Sequence, residues 1–179
     1  MRVIARLQDT EFPLQEITHT RQIVRGIVYD DDYRIALIRV HHTDEKFGER
    51  DMYETPGGGK NPDETLLEGF KREIKEEVGA DLDNVIELGR VVDYYNKIGR
   101  RNDNHYFMGH IVHLGHRHLE EYERNWGLNF EMMSIEEAID AYEHFRDLPV
   151  NNLVKQRELP VLKLAKKKLD KIKKQSNKK

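Results

Sequence analysis

The stretch Pro56–Ala80 (PGGGKNPDETLLEGFKREIKEEVGA) constrains this chain more than any other. Three consecutive glycines, Gly57 to Gly59, follow a Tyr-Glu-Thr-Pro approach of strand character. Such a run admits conformations and close approaches that a β-carbon blocks. Lys60-Asn61-Pro62-Asp63 turns the chain, and the pattern predicts a helix from Pro62 or Asp63 to about Val78, stopped by Gly79. At about 100° per residue, Leu66, Leu67, Phe70, Ile74 and Val78 share one face of that helix. Glu73, Glu76 and Glu77 fall beside this apolar face and overlap its edge. They are expected to line the rim of whatever the helix packs against.

Carboxylates at i, i+3 and i+4 repel one another unless positive charge lies among them. Arg72 adjoins the three but carries a single charge, so one or more divalent cations are expected to complete the neutralisation. Hard oxygen donors suit Mg²⁺ or Mn²⁺, whose remaining positions go to water and substrate phosphates. Such a site polarises phosphoryl oxygens and acidifies a bound water, which is equipment for phosphoanhydride hydrolysis. The ordinary alternative is a solvated helix face laced by i,i+4 pairs. The glycine run and the placement of the glutamates beside the core argue against it. A P-loop is excluded, because Glu54 and Asn61 stand where that motif needs Gly and Ser or Thr.

Gly58, Glu64 and the run Arg72-Glu73-Ile74-Lys75-Glu76-Glu77-Val78-Gly79-Ala80 resemble the Nudix box of the Nudix hydrolases (MutT-like) at every fixed position. Ala80 stands where a larger aliphatic residue is usual. The resemblance implies an α/β/α sandwich around a mixed β-sheet, with the box as loop–helix–loop beside the sheet. It implies metal-binding roles for Glu73, Glu76, Glu77 and the Gly57 carbonyl. It implies that Arg72 orients the glutamates, with Glu64 as its salt-bridge partner. Glu64, Arg72, Glu76 and Glu77 are the expected catalytic set. The box leaves the general base open between a Glu within it and one outside, where Glu120, Glu121 and Glu123 are candidates.

Around the box, Gln22–Tyr29 and Arg34–Val40 are β-rich and predict a hairpin across Asp30-Asp31-Asp32. Ile35, Leu37, Ala36, Ile38 and Val40 put apolar groups on both faces of the second strand, so it is expected between layers. Val3-Ile4-Ala5 suggests a short strand. His41–Met52 is a charged loop whose His41, His42, Lys46 and Arg50 are candidates to touch phosphates. Val85–Tyr95, bulged at Gly89, and His105–Leu114 predict a second hairpin across a polar turn at 96–104. A last strand is expected over Leu128–Met132. Ser134-Ile135-Glu136-Glu137 is a capping box opening a helix with an apolar stripe of Ile135, Ala138, Ile139, Tyr142 and Phe145. Beyond Pro149, one helix is expected over Asn151–Glu158 and another starting at Pro160. The expected division is a Nudix domain over 1–148 and a basic helical extension, 149–179, packed on it.

The net charge of −3 hides an acidic body and a tail with eleven basic against two acidic residues from Lys155 onward. That tail offers an electrostatic surface for RNA, a helix packed on the acidic body, or a contact with a second subunit to form a homodimer. It lacks the interleaved aromatics of base stacking, so nucleic acid is not the expected partner beyond capped or triphosphorylated RNA ends as substrates. The chain has no run long enough for a membrane helix, no cysteine, and a start (MRVIARLQDTE) without an apolar signal region, so a cytoplasmic location is expected. His110 and His113 fall on opposite strand faces, which disfavours a shared zinc. As to substrate, the resemblance implies a nucleoside diphosphate linked to another moiety. The chain has no Pro between Pro62 and Pro149 and so lacks a mark of ADP-ribose-cleaving relatives. Tyr94 and Tyr95 come early for the Tyr of dinucleoside-polyphosphate-cleaving ones. Nucleoside triphosphates, including oxidised ones, are the default; nucleotide sugars and dinucleoside polyphosphates are alternatives. So is a role as an RNA- or nucleotide-binding regulator on the same fold. Arg39, Arg50, Tyr53 and Tyr106 are candidate substrate contacts, with Phe107 beside them.

Overall fold

The computed structural model describes residues 1–44, 48–119, 121 and 128–176. Its strands are β1 (Val3–Gln8), β2 (His19–Tyr29), β3 (Ile35–Asp44), β4 (Gly48–Glu54), β5 (Gly57–Gly59), β6 (Ala80–Tyr95), β7 (Arg100–Leu114) and β8 (Asn129–Met133). Its helices are α1 (Leu66–Glu77), α2 (Ile135–Glu143) and α3 (Asn151–Ser176). The eight strands form one sheet in the order β1-β6-β7-β2-β3-β4, with β5 on β2 and β8 on β3. The sheet is mixed: β1 runs parallel to β6, and β2 parallel to β7.

Neighbouring residues of β7 show why the architecture is layered, since successive strand side chains point to opposite faces. Phe107 stacks on Phe70 of α1 at 5.0 Å. Tyr106 turns the other way, and its hydroxyl donates to Glu158 of α3 at 3.0 Å. Helix α1 therefore covers one face and α3 the other. Gly26 on β2 makes the first contact possible, because a β-carbon there would overlap the Phe70 ring. Phe70, Ile74 and Val78 are buried, as the helical periodicity requires.

Several elements differ from the sequence expectation for identifiable reasons. Helix α1 begins at Leu66, not at Pro62 or Asp63, because Thr65 caps it. The Thr65 hydroxyl accepts from the Glu68 amide at 3.2 Å, and the Glu68 carboxylate accepts from the Thr65 amide at 2.8 Å. The expected β2–β3 hairpin exists only at its turn, where Tyr29 pairs with Ile35; the strands then diverge, β2 to β5 and β7, β3 to β4 and β8. The expected charged loop is largely β3 and β4, with His41 opposite Asp51 and His42 opposite Arg50. The diagonal ion pair between Arg39 of β3 and Asp51 of β4 supports the pairing despite its polarity. Strand β7 starts at Arg100, earlier than expected, because Gly99 turns the chain with φ +57°. The bulge at Gly89 is present, at φ +144°.

The two expected C-terminal helices are one. Helix α3 runs through Pro160, although proline removes a hydrogen bond and costs about 3 kcal/mol in a helix interior. Pro160 and Gln156, whose carbonyl loses its donor, both lie on the exposed side. Leu153, Val154, Val161, Leu162, Ala165 and Leu169 are buried on both sides of the break and hold the helix in register. The basic residues of this helix meet the acidic residues of α2: Lys163 donates to Glu143 at 2.7 Å, and Lys166 pairs with Glu136. No helix among the described residues is long and apolar enough to cross a membrane.

Candidate active site

The glycine run and α1 form one rim. Strand β5 pairs with β2, placing Gly57 opposite Arg25, Gly58 opposite Val24 and Gly59 opposite Ile23. Gly57 adopts φ +142° and its amide donates to a Glu77 carboxylate oxygen at 2.6 Å. Gly58 lies against Glu73 so closely that a β-carbon would sit 2.6 Å from the carboxylate. Both glutamates are buried, 8% and 7% exposed, although they sit at the edge of the apolar face.

Arg72 is the hub. Its Nε and Nη2 grip both oxygens of Glu64 at 3.0 and 2.8 Å, the planar fork matching the carboxylate. Nη1 donates to Glu73 at 2.9 Å and to Glu76 at 2.8 Å, and Nη2 reaches the Gly59 carbonyl at 3.0 Å. One guanidinium thus ties the helix start, the carboxylates and the glycine strand together. Hydrogen bonding from Arg72 holds the Glu64 carboxyl down at about 2, and Glu64 in turn raises the Arg72 pKa. The far end of α1 is fixed by Arg117, whose Nε donates to the Glu77 carbonyl at 2.6 Å. A cation there also complements the helix dipole. Only the fold reveals Arg117 in this role.

Whether this donor set fits a divalent ion can be tested on its chemistry. Among the described residues no three acidic or histidine side chains converge to hold a metal ion. Glu73 and Glu76 each direct an oxygen to Arg72, and Glu77 directs one to the Gly57 amide. Three carboxylates, Glu64, Glu73 and Glu76, nevertheless share Arg72; Glu73 is buried against Gly58, which leaves no room for a β-carbon, and Glu77 is buried beside it. Hard oxygens carrying excess negative charge at a half-buried rim fit a hard divalent cation.

Beside the rim, strands β2, β6 and β7 and helix α3 enclose a cleft of about 380 Å³ that includes Gly57, Gly58 and Glu77. Five arginines line it, Arg21, Arg25, Arg50, Arg100 and Arg157, with Tyr95 and the apolar Ile38, Val40 and Leu128. Three of the arginines are paired with carboxylates within the protein. Glu54 takes Arg25 at 3.2 Å and Arg50 at 2.8 Å, and the fully buried Glu158 takes Arg157 at 2.8 Å. Burial pushes the Glu54 carboxyl up, but Arg25, Arg50 and Arg157 outweigh it and hold it at about 2. Burial raises the Tyr95 phenol to about 12, so its hydroxyl stays protonated at neutral pH.

Of the expected substrate contacts, only Arg50 lines this cleft. Arg39 pairs with Asp51 and covers the Tyr53 ring, whose hydroxyl donates to Glu131 at 2.8 Å. Both lie among the strand pairs of β3, β4 and β8 and outside the cleft lining. Tyr106 is fully buried on Glu158, and Phe107 is buried under α1. His41 is exposed beside Asp51. Lys46, Glu120 and Glu123 lie outside the described residues; Glu121 is exposed and not among the cleft residues. The cleft arginines that sequence reasoning missed, Arg21, Arg25, Arg100 and Arg157, come from strands and a helix far apart in the chain. The alternation on β2 of Arg21, Ile23 and Arg25 was the available signal.

A model of the NUDIX domain matches residues 19–154, well over half the chain. No curated protein matches the sequence. A NUDIX hydrolase from Nitrosomonas europaea superposes with a TM-score of 0.58 at 20% identity, covering 76% of this chain and 84% of that one. A MutT protein from Methanosarcina mazei Go1 gives 0.53 at 19% identity, over 87% and 99% of the two chains. The E. coli ORF135 protein gives 0.53 at 20% identity, over 81% and 87%. At such identities the structures speak for a common fold, and the domain match for common descent. The chain belongs to the Nudix family of hydrolases.

Proposed function

We propose that the protein is a divalent-metal-dependent pyrophosphohydrolase that cleaves a diphosphate bond in a nucleoside diphosphate linked to a further group, with nucleoside triphosphates as the leading class. The observation that carries this reading is the Arg72 hub: one guanidinium organises Glu64, Glu73, Glu76 and the glycine strand at the mouth of an arginine-lined cleft.

Glu73, Glu76, Glu77 and the Gly57 carbonyl would hold Mg²⁺ or Mn²⁺, which supplies polarisation of a phosphoryl oxygen and a more acidic water. Arg72 and Glu64 keep the carboxylates from splaying. The cleft arginines attract and orient the polyphosphate, and the apolar wall at Ile38, Val40 and Leu128 offers a surface for the nucleoside. Glu121, with Glu120 and Glu123, supplies the candidates for a base outside the box.

The test is a screen of purified protein with Mg²⁺ or Mn²⁺ against nucleoside triphosphates, nucleotide sugars, dinucleoside polyphosphates and capped RNA. Phosphate or pyrophosphate release is the readout. On the best substrate Glu77→Gln should cost more than about 100-fold in kcat, beyond the 10–100-fold typical of residues that only orient ligands. Unchanged divalent-dependent turnover in that variant would overturn the assignment.

A further inference from the structure

We propose that Arg21 and Arg100 form a phosphate-binding subsite at the far side of the rim, and that the group linked to the nucleoside diphosphate therefore ends in a phosphate. The substrate half of this statement rests on the pyrophosphohydrolase reading; the subsite stands on the cleft itself.

The register builds the pair. In the parallel β2–β7 ladder His19 lies opposite Arg100 and Arg21 opposite Asn102. Arg21 and Arg100 are thus diagonal neighbours on one face of the sheet. Tyr95 and Asp93 of β6 stand opposite Arg100 and Asn102 on the same face. The Arg21 guanidinium reaches back over the glycine strand: a β-carbon on Gly59 would meet its Nη2 at 2.5 Å and its Nε at 2.8 Å. Gly59 follows Gly58, which touches Glu73. Carboxylate rim, glycine strand and arginine pair therefore follow one another in a line. Arg21 lies two residues along β2 from Ile23, the partner of Gly59, about 7 Å at the usual strand rise, so its side chain spans the interval between rim and pair.

These two arginines differ from the other three in the cleft. Arg25, Arg50 and Arg157 each have a carboxylate within 3.2 Å. Among the described residues, Arg21 has no salt-bridge partner and Arg100 has none either. The Arg100 Nε is buried with no hydrogen-bond partner. The nearby negative group, Asp93, is committed to the amides of Asn102 at 2.7 Å and Asn104 at 2.6 Å. Burial lowers the Arg100 pKa, and repulsion from Arg21 and Arg157 lowers it further against the pull of Asp93. A half-buried guanidinium with an unmet donor, beside a like charge, is unfavourable until an anion arrives. The planar fork of donors matches the oxygens of a phosphate, and two forks side by side match a terminal one that offers three.

The experiment titrates the metal-free full-length protein with inorganic tripolyphosphate by calorimetry, in EDTA and low salt. The wild type should bind. Arg21→Gln and Arg100→Gln should each bind about 10-fold more weakly or worse, the scale of a lost charge-assisted hydrogen bond. Glu76→Gln, which abolishes turnover under the proposed reaction, should bind at least as tightly as wild type. Failure of the hydrolase reading, seen as no divalent-dependent release by the wild type in the screen, is thereby separated from failure of the subsite, which the binding titration reads without turnover. Without tripolyphosphate, Arg100→Gln should melt at or above the wild-type midpoint, because an uncompensated charge is removed. With metal restored, both arginine variants should lose turnover on nucleoside triphosphates and keep it on nucleotide sugars with an uncharged sugar. Equal tripolyphosphate affinity across wild type and the two arginine variants would overturn the subsite. A lowered midpoint for Arg100→Gln would reassign that residue to structural support.

Discussion

Replacing Gly58 by alanine separates the site from the fold. The new β-carbon would lie 2.6 Å from one oxygen of the Glu73 carboxylate and 2.7 Å from the other and from its carbon, whereas ordinary contacts begin at 3.4 Å. The carboxylate must therefore retreat by roughly 1 Å, the scale of misplacement that costs about 100-fold in rate. It would also strain the 2.9 Å bond to Arg72. The backbone is not the obstacle, since Gly58 is not at positive φ and its added atom meets a side chain. Stability should fall by no more than the roughly 1–3 kcal/mol of a local overpacking, about 2–9 °C in Tm for a chain of this size. Gly57→Ala is the control that fails differently. There φ is +142°, and the β-carbon would meet the Arg25 Cα at 2.7 Å, so backbone must move and β5 should leave β2. The assay pairs turnover on the best substrate of the screen with thermal melting followed by circular dichroism. Gly58→Ala should keep a cooperative melt and lose about 100-fold in kcat. Wild-type turnover in a folded Gly58→Ala protein would refute the claim that the glycine exists to admit Glu73.

Two further outcomes follow from paired charge. Glu158 is fully buried and accepts from the Thr55 hydroxyl at 2.7 Å, the Tyr106 hydroxyl at 3.0 Å and Arg157 at 2.8 Å, so Glu158→Ala should cost about 3–5 kcal/mol in urea unfolding; a loss under about 1 kcal/mol would show that the network carries little. The Glu54 and Glu64 carboxyls are held at about 2 in the fold against an ordinary 4.5. Because their folded pKa values are depressed, the unfolded chain takes up protons first as pH falls, and the stability they contribute, complete above about pH 4.5, should drain away toward pH 2. Urea midpoints across that window should fall less steeply in Glu64→Gln than in the wild type.

The box could be read from the sequence because its chemistry is local: Arg72 and the three glutamates lie within two turns of α1, and Glu64 stands in the turn just before its cap. The β6–β7 hairpin and the α2 capping box were legible for the same reason. The cleft was not. Arg100 falls in a segment that reads as a polar turn, and Arg21 in one with no clear pattern, until strand register puts them side by side. Tyr106 and Phe107 show the converse limit. Both are aromatic and near the site, yet the pleat sends one under each covering helix, which composition cannot disclose. Pro160 misled because the local rule against proline was outweighed by apolar burial on either side of it, a tertiary effect.

The parallel ladder between β2 and β7 also governs when the site can come into being. A strand at residue 19 finds its partner only at residue 100 and beyond, so a chain emerging from the ribosome holds half of the cleft floor unpaired until most of it has been made. The glutamate helix can form early, but the basin of positive charge it faces closes only when β7 docks. The cleft is thereby a property of the finished molecule, and a chain cut short before Arg100 would carry a complete box without the β2–β7 floor that faces it.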